Sequence, residues 1–270
     1  MSTEFDRGSH VESVGDGRYS AQIPDCWQQG KGAFGGLVLA TLLRAVEHAE
    51  PEAERTLRSI AGEICAPVMV GAATIQVELL RRGAAVSYFD ARLLQDGQVQ
   101  ARASVVLGAA RPVQSPVPAR IAPATSAWQQ APVIAIGPPM GPVFAQHFEY
   151  RPTGALPFVG GSEATAAGWV REKPVQEKSA RERFDACAVI GHLDAWWPAI
   201  YGVETMPRPC ATVAFTAELL TDPATLPIDR PLFHSARVEA LSEGYFVELR
   251  ELWSGATLVA LNQQTFAILR

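Results

Sequence analysis

Two features are missing from this sequence: an excess of basic residues and a long apolar run. Its 23 Lys and Arg stand against 28 Asp and Glu, which gives a formal net charge of -5. Because phosphate binding needs clustered Lys and Arg, we expect no nucleic-acid partner. No stretch reaches the roughly 18 consecutive apolar residues of a membrane-spanning helix, so we expect no membrane span. Residues 1–10 are polar and have no apolar run, so we expect no signal peptide.

Cysteine, histidine and the common catalytic motifs give no sign of a metal, redox or serine-hydrolase centre. The four cysteines are far apart, and the five histidines are equally scattered. Neither set has the spacing of a zinc or redox site, so we expect no metal and no cofactor. The patterns G-x-S-x-G, G-x-x-x-x-G-K-S/T and G-x-G-x-x-G are also missing. Hydrolytic chemistry would therefore use carboxylate and polar groups, and the cysteines indicate reduced thiols in a cytoplasmic protein.

Apolar residues are plentiful, and proline divides the chain. Hydrophobic residues make up 48% of the 270 residues, a length that suits two domains of about 130 residues each. Nine prolines lie between residues 111 and 152. Since proline disfavours helix interiors and central strands, we interpret residues 111–143 as a surface connector, with one short strand near 144–150. The connector separates a half at 1–110 from a half at 144–270.

The half at 1–110 predicts one buried helix followed by strands. Gly35 and Gly36 open an apolar run, residues 37–46, that covers most faces of a helix and indicates burial all round. Strand-like segments follow, and apolar and polar residues alternate in the last of them. Asp96 and Gly97 join the last two strands as a hairpin turn. The predicted strands are 58–66, 74–81, 87–94 and 98–107.

The half at 144–270 repeats this order. A helical segment is predicted at 186–200, and Ser254 and Gly255 form the turn between the last two strands. Helices do not alternate with strands, so we expect the α+β class, with antiparallel sheets each wrapped around a long central helix. The predicted strands are 211–220, 232–241, 245–253 and 256–268.

Gly35 and Gly36 are the first candidates for a chemical role. Two glycines at a helix start leave backbone N–H groups open to a ligand, and the positive end of the helix dipole suits a developing oxyanion. The alternative is that the glycines only permit a tight turn against a neighbouring strand. Spacing alone favours this alternative.

Asp194 is a carboxylate inside an apolar helical segment, close to Trp196 and Trp197. Burial would raise its pKa toward the values of a useful general base. The alternatives are a helix cap or a partner for an arginine. His192 lies two residues away, but a lone histidine beside a helix is usually structural.

Thr212 and Gln264 are candidates on two strands. The Thr212 hydroxyl can donate and accept hydrogen bonds, although threonine is also simply a good strand residue. Gln264 shares a face of the last strand with apolar residues, so its amide points into the interior and needs a partner, such as water or a substrate carbonyl. Gln263 beside it leaves the active amide ambiguous by one residue.

Together these segments resemble the acyl-CoA thioesterase II family and the wider group of thioesterase-like double hot-dog proteins. The resemblance covers residues 27–107 and 168–268. It rests on the order and spacing of short motifs rather than on any single one. They are FGG at 34–36, VELLRRG at 77–83, GWVR at 168–171, DAWWPA at 194–199 and LWSG at 252–255.

The resemblance implies a tandem (double) hot-dog fold and an enzyme that hydrolyses a fatty acyl-CoA to the free acid and CoA. In the family an Asp, a Thr and a Gln hold the attacking water, and Asp194, Thr212 and Gln264 match them. The N–H groups of Gly35 and Gly36 would polarise the carbonyl from across the interface between halves. The implied partner is the acyl-CoA substrate, and we expect a homo-dimer or homo-tetramer.

Two departures from the family pattern keep other functions open. Leu37 stands where the family often has a glutamine, and its strand histidines have no counterpart at 58–62 or 213–215. A catalytically silent hot-dog protein that binds acyl-CoA or serves as a structural partner is the alternative. Hydratase or dehydratase chemistry would need a paired histidine, and only His192 lies near. The apolar run 37–46 of the first half holds only Arg44 as a charged residue, so we expect one site per chain.

Overall fold

The structure is a computed structural model that describes residues 3–112, 117–173 and 182–269. Residues 113–116 of the predicted connector lie outside the described residues. Within the described part, no helix is long and apolar enough to cross a membrane. The helices are α1 (Glu4–Gly8), α2 (Gly35–Ala49) and α3 (Ala186–Asp194). The strands are β1 (Val11–Gly15), β2 (Arg18–Ile23), β3 (Gln28–Gln29), β4 (Gly32–Ala33), β5 (Thr56–Ile64), β6 (Gly71–Arg82), β7 (Val86–Gln95), β8 (Gln98–Gly108), β9 (Phe148–Pro152), β10 (Thr165–Glu172), β11 (Cys210–Leu219), β12 (Leu232–Ser242), β13 (Tyr245–Ser254) and β14 (Thr257–Ile268).

Twelve of these strands form one antiparallel sheet whose two sides repeat each other. Its order is β1-β2-β6-β7-β8-β5-β11-β14-β13-β12-β10-β9, while β3 and β4 pair separately. The two halves of the chain meet at the β5–β11 pair, where Ala61 lies opposite Thr216. Outward from this pair, each half presents its strands in the same order. The α+β class is confirmed, whereas the sheets expected for the two halves are joined into one.

All eight predicted strands of the two meanders are present, with bounds that move by up to three residues. The strand expected near 144–150 is β9. The sequence analysis missed the outer strands β1, β2 and β10, so strands precede the main helix, α2 or α3, in each half. Most of β1 is exposed and gives no alternating pattern. Its turn to β2 has left-handed φ angles of 52° at Asp16 and 68° at Gly17.

The two main helices pack against each other, and α2 also contacts strands β6, β7 and β8. Ten of the 15 residues of α2 are buried, as its continuous apolar run predicts. Helix α3 is shorter than the predicted segment 186–200, because it ends at Asp194. Pro198 explains this end, since it has no N–H to bond the Asp194 carbonyl four residues earlier and its ring would clash with that carbonyl. A short 3₁₀ turn, Ala199–Gly202, follows it.

The described part of the connector lies over the half that follows it. The Arg151 and Arg171 guanidinium groups lie 4.7 and 4.9 Å from the Trp128 ring centre. Trp169 Nε1 donates a hydrogen bond of 3.0 Å to the Ser126 carbonyl. Earlier in the connector, Arg120 forms an ion pair with Glu251. These contacts hold residues 120–128 against strands β9, β10 and β13.

Gly168 in β10 is required by close backbone packing, which gives a test of the fold. A Cβ at this position would lie 2.5 Å from the Arg151 carbonyl oxygen and 2.5 Å from the Trp196 ring. We expect Gly168→Ala to lower the free energy of unfolding by about 1–3 kcal/mol because it overpacks the site. Urea denaturation followed by tryptophan fluorescence measures the loss.

Gly83→Ala is the matched control for this substitution. A Cβ at Gly83 would meet the Val86 carbonyl oxygen at 3.5 Å, an ordinary contact. The control should therefore keep the stability of the parent protein or raise it slightly. An equal loss in both variants would contradict the packing assigned to Gly168.

Candidate active site

Asp194 lies where the end of α3 meets the beginning of α2. It is the last residue of α3 and only 9% exposed. The start of α2 lies so close that a Cβ on Gly35 would be 2.9 Å from Asp194 Oδ2. At Gly36 a Cβ would be 3.0 Å from Asp194 Cβ and 2.6 Å from the Phe34 ring. The two glycines therefore let the carboxylate of one half approach the helix N-terminus of the other.

Gln264 links Asp194 to Thr212 through its side-chain amide. Gln264 Nε2 donates to Asp194 Oδ1 at 2.9 Å, and Gln264 Oε1 accepts from Thr212 Oγ1 at 3.1 Å. Gln264 is completely buried, whereas Gln263 points outward and is exposed. The structure thus brings together the three side chains that the sequence singled out from a helix and two strands.

A β-bulge turns Thr212 toward this site. In the β11–β14 pair, Thr212 lies opposite Phe266 and Ala214 lies opposite Thr265, so Val213 is the extra residue. Successive strand residues alternate between faces, and a bulge resets that alternation. Without Val213 as an extra residue, Thr212 would point away from the face that carries Gln264.

The surroundings of Asp194 favour its protonated form more than water does. Burial raises the pKa of the Asp194 carboxyl, and the Arg250 charge, the Gln264 hydrogen bond and the Gly36 N–H partly oppose that rise. Burial is the larger influence, so the pKa of Asp194 stays above its ordinary value. A carboxylate of this kind accepts a proton more readily than an exposed aspartate does, which suits a general base.

Three residues around Asp194 were missed by the sequence analysis: Tyr150, Glu248 and Arg250. Arg250 Nη1 lies 3.6 Å from Asp194 Oδ1, and Arg250 Nε donates to Glu248 Oε1 at 2.8 Å. Tyr150 donates its hydroxyl proton to the Ala195 carbonyl at 2.9 Å. The sequence could have indicated the charged pair. Glu248 and Arg250 are two residues apart in β13, and residues at this spacing share one face of a strand, here the inward face.

The two histidines near the site are packed among aromatic rings. His192 Nδ1 lies 2.8 Å from the Ala188 carbonyl oxygen, and its ring contacts Phe148 and Phe184. His234 on β12 is fully buried and stacks on Trp196, with ring centres 5.4 Å apart. Burial is the largest cause that lowers the pKa of His234 well below its usual range. This histidine is therefore neutral at physiological pH.

Two cavities lie on other parts of the surface. One, of about 210 Å³, is lined by Asp16, Gly17, Arg18, Gln76, Val77, Glu78, Asp90 and Arg92. The other, of about 200 Å³, is lined by Glu4, Phe5, Trp27, Gln146, His147, Glu172 and Lys173. Neither includes Asp194, Thr212 or Gln264. The candidate site is defined by its side-chain chemistry and not by these cavities.

Several solved structures share this fold over nearly the whole chain. A conserved protein of unknown function with a hot-dog fold, from Alicyclobacillus acidocaldarius, is 26% identical with a TM-score of 0.89, covering 100% of this chain and 99% of that one. A candidate thioesterase II from Thermobifida fusca is 22% identical with a TM-score of 0.84, at 100% and 98% coverage. The acyl-CoA thioesterase II TesB2 from Mycobacterium marinum is 14% identical with a TM-score of 0.75, at 98% coverage of both chains. The double hot-dog prediction is confirmed.

Family models cover both halves of the sequence, although a search of curated proteins gave no match. Residues 23–108 match the acyl-CoA thioesterase N-terminal domain, and residues 115–268 match the acyl-CoA thioesterase C-terminal domain. The second match alone spans more than half of the chain. The resemblance found in the sequence is confirmed: the chain belongs to the acyl-CoA thioesterase family of thioester hydrolases.

Proposed function

We propose that this chain hydrolyses a fatty acyl-CoA to the free acid and CoA, with a water molecule held by Asp194, Thr212 and Gln264. The observation that carries the proposal is the continuous hydrogen-bond chain from Asp194 through Gln264 to Thr212. A buried carboxylate, an amide and a hydroxyl provide both acceptors and donors for one water. Membership of the acyl-CoA thioesterase family supports the same chemistry.

In the proposed reaction, Asp194 is the general base. Its carboxylate takes a proton from the water while the water oxygen forms a bond to the thioester carbonyl carbon. The carbonyl π electrons move to oxygen and give a tetrahedral oxyanion. When this collapses, the carbon–sulfur bond breaks, and the CoA sulfur receives the proton from Asp194. Thr212 and Gln264 orient the water and the carboxylate, and general-base catalysis of this kind contributes about 10²–10⁴-fold to the rate.

The start of α2 would stabilise the oxyanion in this scheme. The first N–H groups of a helix have no intrahelical acceptor and lie at the positive end of its dipole. Gly36 directs its N–H to Asp194, so we assign it to holding the base. Gly35, at the first position of the helix, is then the donor to the carbonyl oxygen. This assigns different roles to the two glycines that the sequence analysis proposed together.

The remaining parts of the proposal concern organisation. We propose halves at 1–110 and 144–270 joined by the connector 111–143, with the sheet of each half curving around its own helix. The burial of α2 on most sides supports this curvature. We also propose a cytoplasmic location, supported by the four free cysteines, and a homo-dimer or homo-tetramer. We also propose one site per chain, because α3 ends in an aspartate whereas α2 contains none.

Replacing the base tests the proposed reaction directly. Asp194→Asn keeps the size of the side chain but cannot accept the proton, so we expect kcat to fall about 10²–10⁴-fold. Release of free CoA from acyl-CoAs of several chain lengths, detected with a thiol reagent, measures the rate. Equal thiol release by the parent and the variant would overturn the catalytic assignment and favour a silent acyl-CoA-binding protein.

Adjacent glutamines provide a matched pair that tests the amide. We expect Gln264→Ala to lower kcat, because it removes the hydrogen bonds to both Asp194 and Thr212. We expect Gln263→Ala to retain the parent rate, because Gln263 is exposed on the opposite face of β14. The same thiol-release assay compares them. A loss confined to Gln263→Ala would reverse the assignment of the active amide.

The pH dependence of the reaction tests the protonation state of Asp194. Protonated Asp194 cannot act as a base, so activity should fall as the pH drops through its pKa. Because burial raises that pKa, the acid limb of kcat/KM should lie above the range of an exposed aspartate. A profile over a wide pH range measures it, with Asp194→Asn as the control that lacks this limb. An acid limb at the ordinary aspartate position would contradict the environment described here.

A further inference from the structure

Two carboxylates and one guanidinium are enclosed together at the end of α3. Arg250 is 1% exposed, Glu248 is completely buried and Asp194 is 9% exposed. Asp194 belongs to the proposed reaction, on which the present inference rests, but Glu248 and Arg250 have no role in it. Unpaired buried charges are costly, so this odd number of charges needs an explanation.

The guanidinium hydrogen-bonds to Glu248 and lies farther from Asp194, with which it forms only an ion pair. Arg250 Nε donates to Glu248 Oε1 at 2.8 Å, whereas Arg250 Nη1 lies 3.6 Å from Asp194 Oδ1. The same Nη1 donates to the Leu193 carbonyl at 3.0 Å. A hydrogen-bonded ion pair at the shorter distance is the stronger one. Glu248 therefore receives the larger share of the positive charge.

We propose that Glu248 and Arg250 are positioning residues that set the proton affinity of Asp194, with Glu248 withdrawing the Arg250 charge so that Asp194 stays basic enough to serve as a base. If Arg250 paired fully with Asp194, the carboxylate would be stabilised as an anion and would be a weaker base. If Arg250 were absent, Asp194 would be held in its protonated form. In the structure Arg250 is hydrogen-bonded to Glu248 and is a weaker partner of Asp194, which is between these two extremes.

The other groups that face Asp194 are uncharged, so the proton affinity of Asp194 depends mainly on Arg250 and Glu248. Tyr150 from β9 is completely buried, and its hydroxyl is engaged by the Ala195 carbonyl. His234 from β12 faces Arg250 and is neutral. Gln264 from β14 and the Gly36 N–H from α2 are uncharged donors. Among these groups around Asp194, Arg250 and Glu248 carry the charges.

The pair also holds the backbone on both sides of Asp194. Arg250 donates to the Leu193 carbonyl, one of the last carbonyl groups of α3, where a positive charge also suits the helix dipole. Glu248 Oε2 accepts from the Ala199 N–H at 2.8 Å. A purely structural role would therefore make any substitution of either residue harmful in the same way. Control of proton affinity makes the two substitutions act in opposite directions.

The test is whether the two substitutions shift the titration of Asp194 in opposite directions. In Glu248→Gln the Arg250 charge turns to Asp194, and Asp194 should titrate about one pH unit lower than in the parent. In Arg250→Met two buried carboxylates remain without a cation, and Asp194 should titrate about one pH unit or more higher. Carbon-13 NMR of labelled aspartate, with Asp194→Asn to assign the resonance, measures the titration without any need for activity. The acid limb of kcat/KM should move in the same two directions.

Two further variants secure the interpretation. Arg250→Met leaves unpaired charge in the interior and is the variant at risk of failing to fold, so Glu248→Gln/Arg250→Met replaces both members of the pair. In this double variant Asp194 should titrate above its position in Glu248→Gln. Glu239→Gln on neighbouring β12 is the matched control, since Glu239 forms an exposed ion pair with Arg237. It should leave the titration of Asp194 unchanged.

The outcomes separate this inference from the proposed function. Titration shifts of the same sign in the Glu248 and Arg250 variants, or no shift in Glu248→Gln relative to Glu239→Gln, would overturn the inference, whatever the activity of the parent. Absence of thiol release by the parent would overturn the proposed function, even if the Asp194 resonance shifts as expected.

Discussion

The contact between the end of α3 and the beginning of α2 is the constraint on which the rest of the structure depends. The β5–β11 pair joins the halves into one sheet, and the helices therefore lie side by side. Asp194 can approach the other helix only because Gly35 and Gly36 have no side chain in its way. A helix N-terminus then compensates part of the unfavourable burial of a carboxylate. Fold and site are thus specified by the same few residues.

Burial of ionisable groups around this contact distinguishes it from the apolar core nearby. The Arg250 guanidinium lies 5.5 Å from the Phe266 ring centre, and Tyr150 lies beside Asp194. Asp194, Glu248 and Arg250 nevertheless each have fixed polar partners. Satisfied polar networks in a low-dielectric interior are rigid and electrostatically strong. The fold itself holds these polar groups in place, and fixed polar groups of this kind are what electrostatic catalysis requires.

The sequence predicts the regular parts of this molecule and the identity of its central polar residues. The apolar run after Gly36 and the turn at Asp96 specify α2 and a hairpin through local periodicity alone. Arg250 was missed because its role depends on contacts with a distant helix, even though its place on an inward strand face was readable. The orientation of Thr212 depends on one extra residue, Val213, and no local propensity marks such a bulge.

The continuous sheet has a consequence for how the two halves diverge. In an assembly of two identical chains, a residue altered on one side is altered on the other, so both copies must satisfy the demands of chemistry and of packing at once. Fusion into one polypeptide removes that coupling. In this chain the main helix of the first half, α2, is apolar along most of its length, while the helix of the second half, α3, ends at Asp194. The repeated architecture can therefore carry different residues on the corresponding helices of its two halves.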